Sequence, residues 1–175
     1  MTLTLKEREL VAVGISVAAG CKPCTDYHFK IARKAKATDA EIRGALTNAI
    51  SVRRDALRVM ENYGLDHLGN TDINRIGDGS YIKTDRLAEL VSIGAAFAVN
   101  CTNNLEKLLL SAARVGRIAE DEIRAVTKLA RFIKDRAASH VEKLVKSPGS
   151  LKETRPPKPA AAEGRSTSVS AATAQ

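Results

Sequence analysis

Residues 5–36 read LKERELVAVGISVAAGCKPCTDYHFKIARKAK. In the first half of this stretch Leu10, Val13 and Val17 recur at the spacing of one helix face, so Leu5 to Gly20 is expected to be a helix. Pro23 suits a first helical turn, which predicts a second helix from there to about Lys36. Downstream, Thr38-Asp39-Ala40-Glu41 is a capping box. The helix it opens carries Ile42, Leu46, Ala49, Ile50 and Leu57 along one side and is expected to stop near Gly64. Residues 64–83 carry turn pairs, Gly69-Asn70 and Asp78-Gly79, and Thr84 is expected to begin the next helix. No stretch of alternating β-branched residues competes, so the fold class is all-α.

The quoted stretch has a second copy. Glu9-Leu10-Val11 recurs as Glu89-Leu90-Val91, Gly14 as Gly94, Ala18 as Ala98 and Cys21 as Cys101, all at an offset of 80. The offset then becomes 81, with Ala32-Arg33 matching Ala113-Arg114 and Glu41-Ile42-Arg43 matching Glu122-Ile123-Arg124. Residues 1–146 therefore form one domain of two helical repeats, about 5–63 and about 84–146. Residues 147–175 turn to Pro, Ala, Ser and Thr, too poor in apolar side chains to offset the entropy of ordering, and are expected to be a disordered tail. The copies differ where it matters: Cys24 becomes Asn104 and His28 becomes Leu108. One half keeps a reactive set and the other keeps the scaffold.

Composition narrows the function. Aromatic residues are 3% with no Trp, which argues against a base-stacking nucleic-acid platform and an aromatic-rich groove. The formal charge of +8 is spread along the chain, as on a solvated surface rather than a nucleic-acid footprint. Three cysteines are too few for a secreted disulfide scaffold. Lys6, Glu7, Arg8 and Glu9 interrupt the N-terminus before any signal-like apolar run. The longest apolar stretch, Leu10 to Cys21, is too short to span a bilayer. These features predict a soluble, cytoplasmic protein without membrane or nucleic-acid partners.

The chemistry concentrates in Glu9, eleven residues, Cys21-Lys22-Pro23-Cys24, three residues, then His28. With Pro23 in a first turn, Cys24 and His28 stand one turn apart on one face. Cys21, at the helix start, is within disulfide reach of Cys24. The free N–H groups and positive dipole end there, with Lys22 beside them, favour a thiolate. His28 can exchange a proton near neutrality. Glu9, late in an apolar helix, can orient or charge-balance the ring. Spacing alone favours Cys21 as nucleophile, since the more N-terminal thiol of a Cys-x2-Cys pair commonly has the lower pKa. The four-residue step to His28 favours Cys24.

Glu-x11-Cys-x2-Cys-x3-His on a helical scaffold, with the continuation IARKAKATDAEIRGALTNAI over residues 31–50, resembles the alkylhydroperoxidase AhpD-like, or carboxymuconolactone decarboxylase-like, superfamily. The resemblance covers the first repeat, and two-repeat members of the superfamily fit the duplication. It implies an AhpD-like helical fold and a thiol-dependent reduction of alkyl hydroperoxides. In that reading Cys24 is the peroxidatic sulfur and Cys21 resolves its sulfenic acid as a disulfide. His28 and Glu9 form the proton relay, and an external dithiol reductant, likewise a protein, restores the pair. No cofactor or metal is implied. Assembly as a homotrimer or homohexamer is. The peroxidase members carry a His just before the second Cys, where this chain has Pro23, and the departure raises general disulfide reductase activity as an alternative. The decarboxylase name does not transfer, because true lactone decarboxylases lack this cysteine pair.

A second alternative is a non-catalytic helical scaffold holding zinc with Cys21, Cys24, His28 and Glu9. Elsewhere, Cys101 reads as a core residue. His67 is expected in the loop and His140 on the last helix, both facing solvent. Glu41 and Glu122 read as helix caps or surface residues, and Lys30, Arg33, Lys34 and Lys36 as a solvated basic face.

Overall fold

A pair of adjoining apolar helices, one from each repeat, forms the centre of the molecule. The structure, a computed structural model, describes residues 3–69 and 85–147. Its helices are α1 (Leu5–Ala18), α2 (Lys22–Lys34), α3 (Asp39–His67), α4 (Arg86–Ala98), α5 (Thr102–Val115) and α6 (Glu120–Lys146). The described residues contain no strand, and the fold class is all-α. Among the described residues, no helix is long and apolar enough to cross a membrane.

Helices α1 and α4 are buried almost all round, as their near-continuous apolar sequences require. They cross at glycines. A Cβ on Gly14 would lie 2.6 Å from Val91 Cγ1, and one on Gly94 would lie 2.7 Å from Ile15 Cγ1. The amphipathic helices surround this pair, and they exchange partners between repeats. The long helix of the second repeat, α6, packs on α1, α4 and α2, and its counterpart α3 packs on α1, α4 and α5. Each repeat's motif helix is thus covered by the other repeat's long helix.

The duplication extends to single interactions. Lys6 pairs with Glu41 at 2.6 Å, and Arg86 pairs with Glu122 at the equivalent positions. Arg53 caps the carbonyls of Val17 and Ala18, and its equivalent Lys134 reaches Asn100. The left-handed residues correspond as well: Gly20 with Asn100 and Lys36 with Gly116, each at an offset of 80. This moves the inserted residue. Ala32 is structurally equivalent to Ala112, both buried, rather than to Ala113. The extra residue falls in the short connection before the N-caps Thr38 and Ala119, where it disturbs no helix packing.

Several boundaries shift. Helix α1 ends at Ala18, two residues before Gly20, and α2 begins at Lys22 and ends at Lys34. Helix α3 continues through Gly64 to His67, since Gly64 is not left-handed and a helical glycine costs only about 1 kcal/mol. His67 is therefore an exposed residue of the last helical turn rather than of a loop. The N-cap of α4 is Asp85, whose side chain accepts from Ala88 N–H, and the helix starts at Arg86. The buried stripe of α3 is Ile42, Ala45, Ala49, Val52 and Ala56, while Ile50 and Leu57 are exposed. Small residues at 45, 49 and 56 let α3 lie close to the central pair. Residues 70–84, which include the expected start at Thr84, and residues 148–175, nearly all of the expected tail, lie outside the described residues.

Candidate functional site

The end of α1 places the first sulfur. The chain leaves α1 through a Schellman turn, in which Gly20 N–H donates to Val17 O at 3.0 Å and Cys21 N–H donates to Ser16 O at 3.0 Å. Gly20 is required at φ +70°, a left-handed conformation that costs a side chain energy. Cys21 is then the N-cap of α2, and its Sγ accepts from Cys24 N–H at 3.2 Å. Cys24 lies in the first turn, and a disulfide joins it to Cys21 with the Cα atoms 5.3 Å apart. Both sulfurs sit where backbone donors and the helix dipole concentrate positive potential.

One turn on, His28 is buried, at 8% exposure, and so is Glu9, at 6%. His28 Nδ1 and Glu9 Oε2 are 2.8 Å apart. A carboxylate only accepts, so Nδ1 is the donor, and Nε2 is the ring nitrogen left free of Glu9. Tyr27 meets the His28 ring edge-on, with centroids 5.0 Å apart. Of the four residues singled out in the sequence, Glu9 thus pairs with His28 and Cys21 with Cys24, and Cys24 and His28 line one cleft. Glu9 lies in the first half of α1 rather than late in it, because α2 runs back along α1 and brings His28 to that level.

A cleft of about 410 Å³ opens beside Cys24, lined by Pro23, Tyr27 and His28 on one side and by Phe132, Ile133, Arg136 and His140 of α6 on the other. A second cleft, about 590 Å³, reaches Cys21 past Lys22, Lys134 and Lys143 and also touches His140. Two features correct the sequence reading. The second repeat is more than scaffold, because it provides half of the cleft wall. His140 faces the site, half-buried, instead of solvent. One of its ring nitrogens and the sulfurs of Cys21 and Cys24 all lie within 4.8 Å of one another. Among the described residues, no other histidine, cysteine or carboxylate approaches both sulfurs so closely. The zinc set expected from Glu9 and His28 is not the one brought together here. Tyr27 and Phe132 also give the first cleft two rings in a chain poor in aromatics.

In the second repeat the equivalent positions have lost this chemistry. Cys101 is buried and free, in keeping with a core role. Asn104 and Glu89, the counterparts of Cys24 and Glu9, are buried, and Glu89 Oε1 and the Asn104 amide have no hydrogen-bond partner among the described residues. Glu41 and Glu122 close capping interactions, and Lys30, Arg33, Lys34 and Lys36 are exposed.

Residues 2–61, which hold α1, α2 and most of α3, match the sequence profile of the Carboxymuconolactone decarboxylase family. No curated protein and no solved structure matches the chain significantly.

Proposed function

We propose that this chain, whose residues 2–61 match the profile of the carboxymuconolactone decarboxylase family, is a thiol peroxidase that reduces organic hydroperoxides through a Cys21–Cys24 dithiol–disulfide cycle. The observation that carries this reading is the buried disulfide at the start of α2, whose Cys24 shares a cleft with a histidine held by a buried carboxylate. In the reduced protein His28 Nε2 takes the Cys24 proton. The thiolate attacks the terminal oxygen of the hydroperoxide, so that an S–O bond forms as the O–O bond breaks, giving Cys24 sulfenic acid and an alkoxide, which His28 protonates. Cys21 then attacks the Cys24 sulfur, a water leaves, and the disulfide forms. An external dithiol returns two electrons and two protons and leaves as its own disulfide.

Cys24 rather than Cys21 is the nucleophile in this scheme, because it lines the same cleft as His28. The cleft walls are largely aromatic and aliphatic, which suits an alkyl hydroperoxide. Exposed apolar side chains such as Leu57, Met60, Val141 and Val145 suit burial between subunits of a homotrimer or homohexamer.

The test is hydroperoxide-driven oxidation of the reduced protein, followed by mass spectrometry with a sulfenic-acid trap. Cys21→Ser is expected to accumulate trapped sulfenic acid at residue 24, and Cys24→Ser to react far more slowly. Sulfenic acid forming in Cys24→Ser at the wild-type rate would sink the assignment. Turnover of small disulfides without hydroperoxide consumption would place the chain among general disulfide reductases instead.

A further inference from the structure

We infer that opening the Cys21–Cys24 disulfide creates a site for zinc, in which the two cysteine thiolates and the His140 imidazole are the protein ligands. The site rests on the proposed cycle only in requiring a reduced state, which a chemical reductant supplies equally well.

The donor atoms are already assembled. Both sulfurs and a His140 ring nitrogen lie within 4.8 Å of one another. A tetrahedral zinc with bonds of about 2.3 Å to sulfur and about 2.0 Å to nitrogen holds its donors roughly 3.5–3.8 Å apart. Reduction lets the sulfurs separate towards that spacing while His140 needs only a small approach. The set of two thiolates and one imidazole selects zinc over magnesium or calcium, which prefer oxygen.

The surroundings favour the metal-bound form. The ligands come from two elements, the N-terminus of α2 and the last third of α6, so the chelate does not depend on one helix face. Cys24 N–H already donates to Cys21 Sγ at 3.2 Å, the kind of backbone bond that supports a metal-bound thiolate. His28, paired with Glu9 through Nδ1, is not among the donors gathered around both sulfurs. Both clefts reach His140, leaving room for a water as fourth ligand. Zinc binding displaces the two thiol protons. Oxidation of the dithiol by a hydroperoxide removes two electrons from the sulfurs, forms the S–S bond and destroys the site. Zinc occupancy and disulfide formation thus exclude each other at the same pair of atoms.

The experiment uses the full chain, reduced with a phosphine under nitrogen and desalted. Zinc alone is titrated against a chromogenic chelator, and the zinc-loaded protein is measured by X-ray absorption. Reduced protein is expected to take up one equivalent and the disulfide form none, with an absorption spectrum showing two sulfurs and one imidazole. His140→Ala is expected to weaken binding at least about tenfold, and Cys24→Ser to abolish it. The absorption spectrum of the wild type decides the matter even if a variant misfolds. Equal uptake by the disulfide form, undiminished affinity in folded His140→Ala, or a spectrum without imidazole would overturn the inference. Since binding is read without turnover, an absent peroxidase activity would count against the proposed function and leave this site standing.

Discussion

At the scale of single residues, the proposed cycle turns on the Glu9–His28 pair. Burying a carboxylate is expensive unless it is hydrogen-bonded, and here its partner is one ring nitrogen, which fixes the imidazole's orientation and tautomer. His28→Ala is expected to slow hydroperoxide-driven disulfide formation about 10²-fold. Glu9→Gln, which keeps the shape and removes the charge, is expected to slow it less, while both variants keep the wild-type helical content. Stopped-flow oxidation beside circular dichroism checks this. An unchanged rate in His28→Ala would remove the ring from the mechanism. This dyad was legible in the sequence because both members belong to the Glu-x11-Cys-x2-Cys-x3-His pattern of one repeat, although Glu9 was expected late in its helix and lies in the first half. His140 was not, because its value depends on which long helix covers which motif helix. A trace of it was nevertheless present: Val126, Ala130, Ile133, Ala137 and His140 step by four, three, four and three along the core-facing stripe of α6.

At the scale of helices, the α1–α4 crossing depends on Gly14 and Gly94. Any side chain there meets the branched ends of Val91 or Ile15, with Val126 Cγ1 a further 3.1 Å neighbour of a Cβ on Gly94. Gly94→Ala and Gly14→Ala are therefore each expected to destabilise the protein by about 1–3 kcal/mol, read as a lower urea midpoint. This holds although alanine is the better helix former. A substitution that stabilised the protein would show that the crossing relaxes freely. Helix identity and the duplication could be read from periodicity and from the shared Glu-Leu-Val series. Helix ends could not, and the buried face of α3 could only in part: Ile42 and Ala49 are buried on the expected side, but the more apolar Ile50 and Leu57 are exposed while Ala45, Val52 and Ala56 complete the buried stripe.

At the scale of the whole molecule, Arg86 ties the repeats together. Its guanidinium on α4 donates to Glu7 of α1 at 2.6 Å and to Glu122 of α6. The Arg86 hydrogen bond, opposed by burial, holds the Glu122 carboxyl below its usual range. Burial pushes Glu7 up, but the bonds from Thr4 and Arg86 outweigh it and the net direction is down. Glu41 is lowered from the usual 4.5 to about 2 by Lys6 and the Thr38 backbone. Groups whose carboxyl pKa is depressed by folding stabilise the native state above the unfolded value and lose that contribution as pH falls through the folded one. The urea midpoint is thus expected to decline from about pH 5 towards pH 2, and Arg86→Met to flatten that decline while lowering the plateau. A midpoint that holds steady down to pH 2 would show that these pairs contribute nothing.

The crossing of α6 over the first repeat's motif helix has one more consequence. A doubled chain ordinarily leaves the spare copy free to drift, yet here the copy without the cysteine pair supplies Phe132, Ile133, Arg136 and His140 as the wall opposite Cys24. On the proposed cycle, that wall shapes which hydroperoxide is admitted while the other copy carries the sulfurs, so selection and reaction would fall to different halves of one chain.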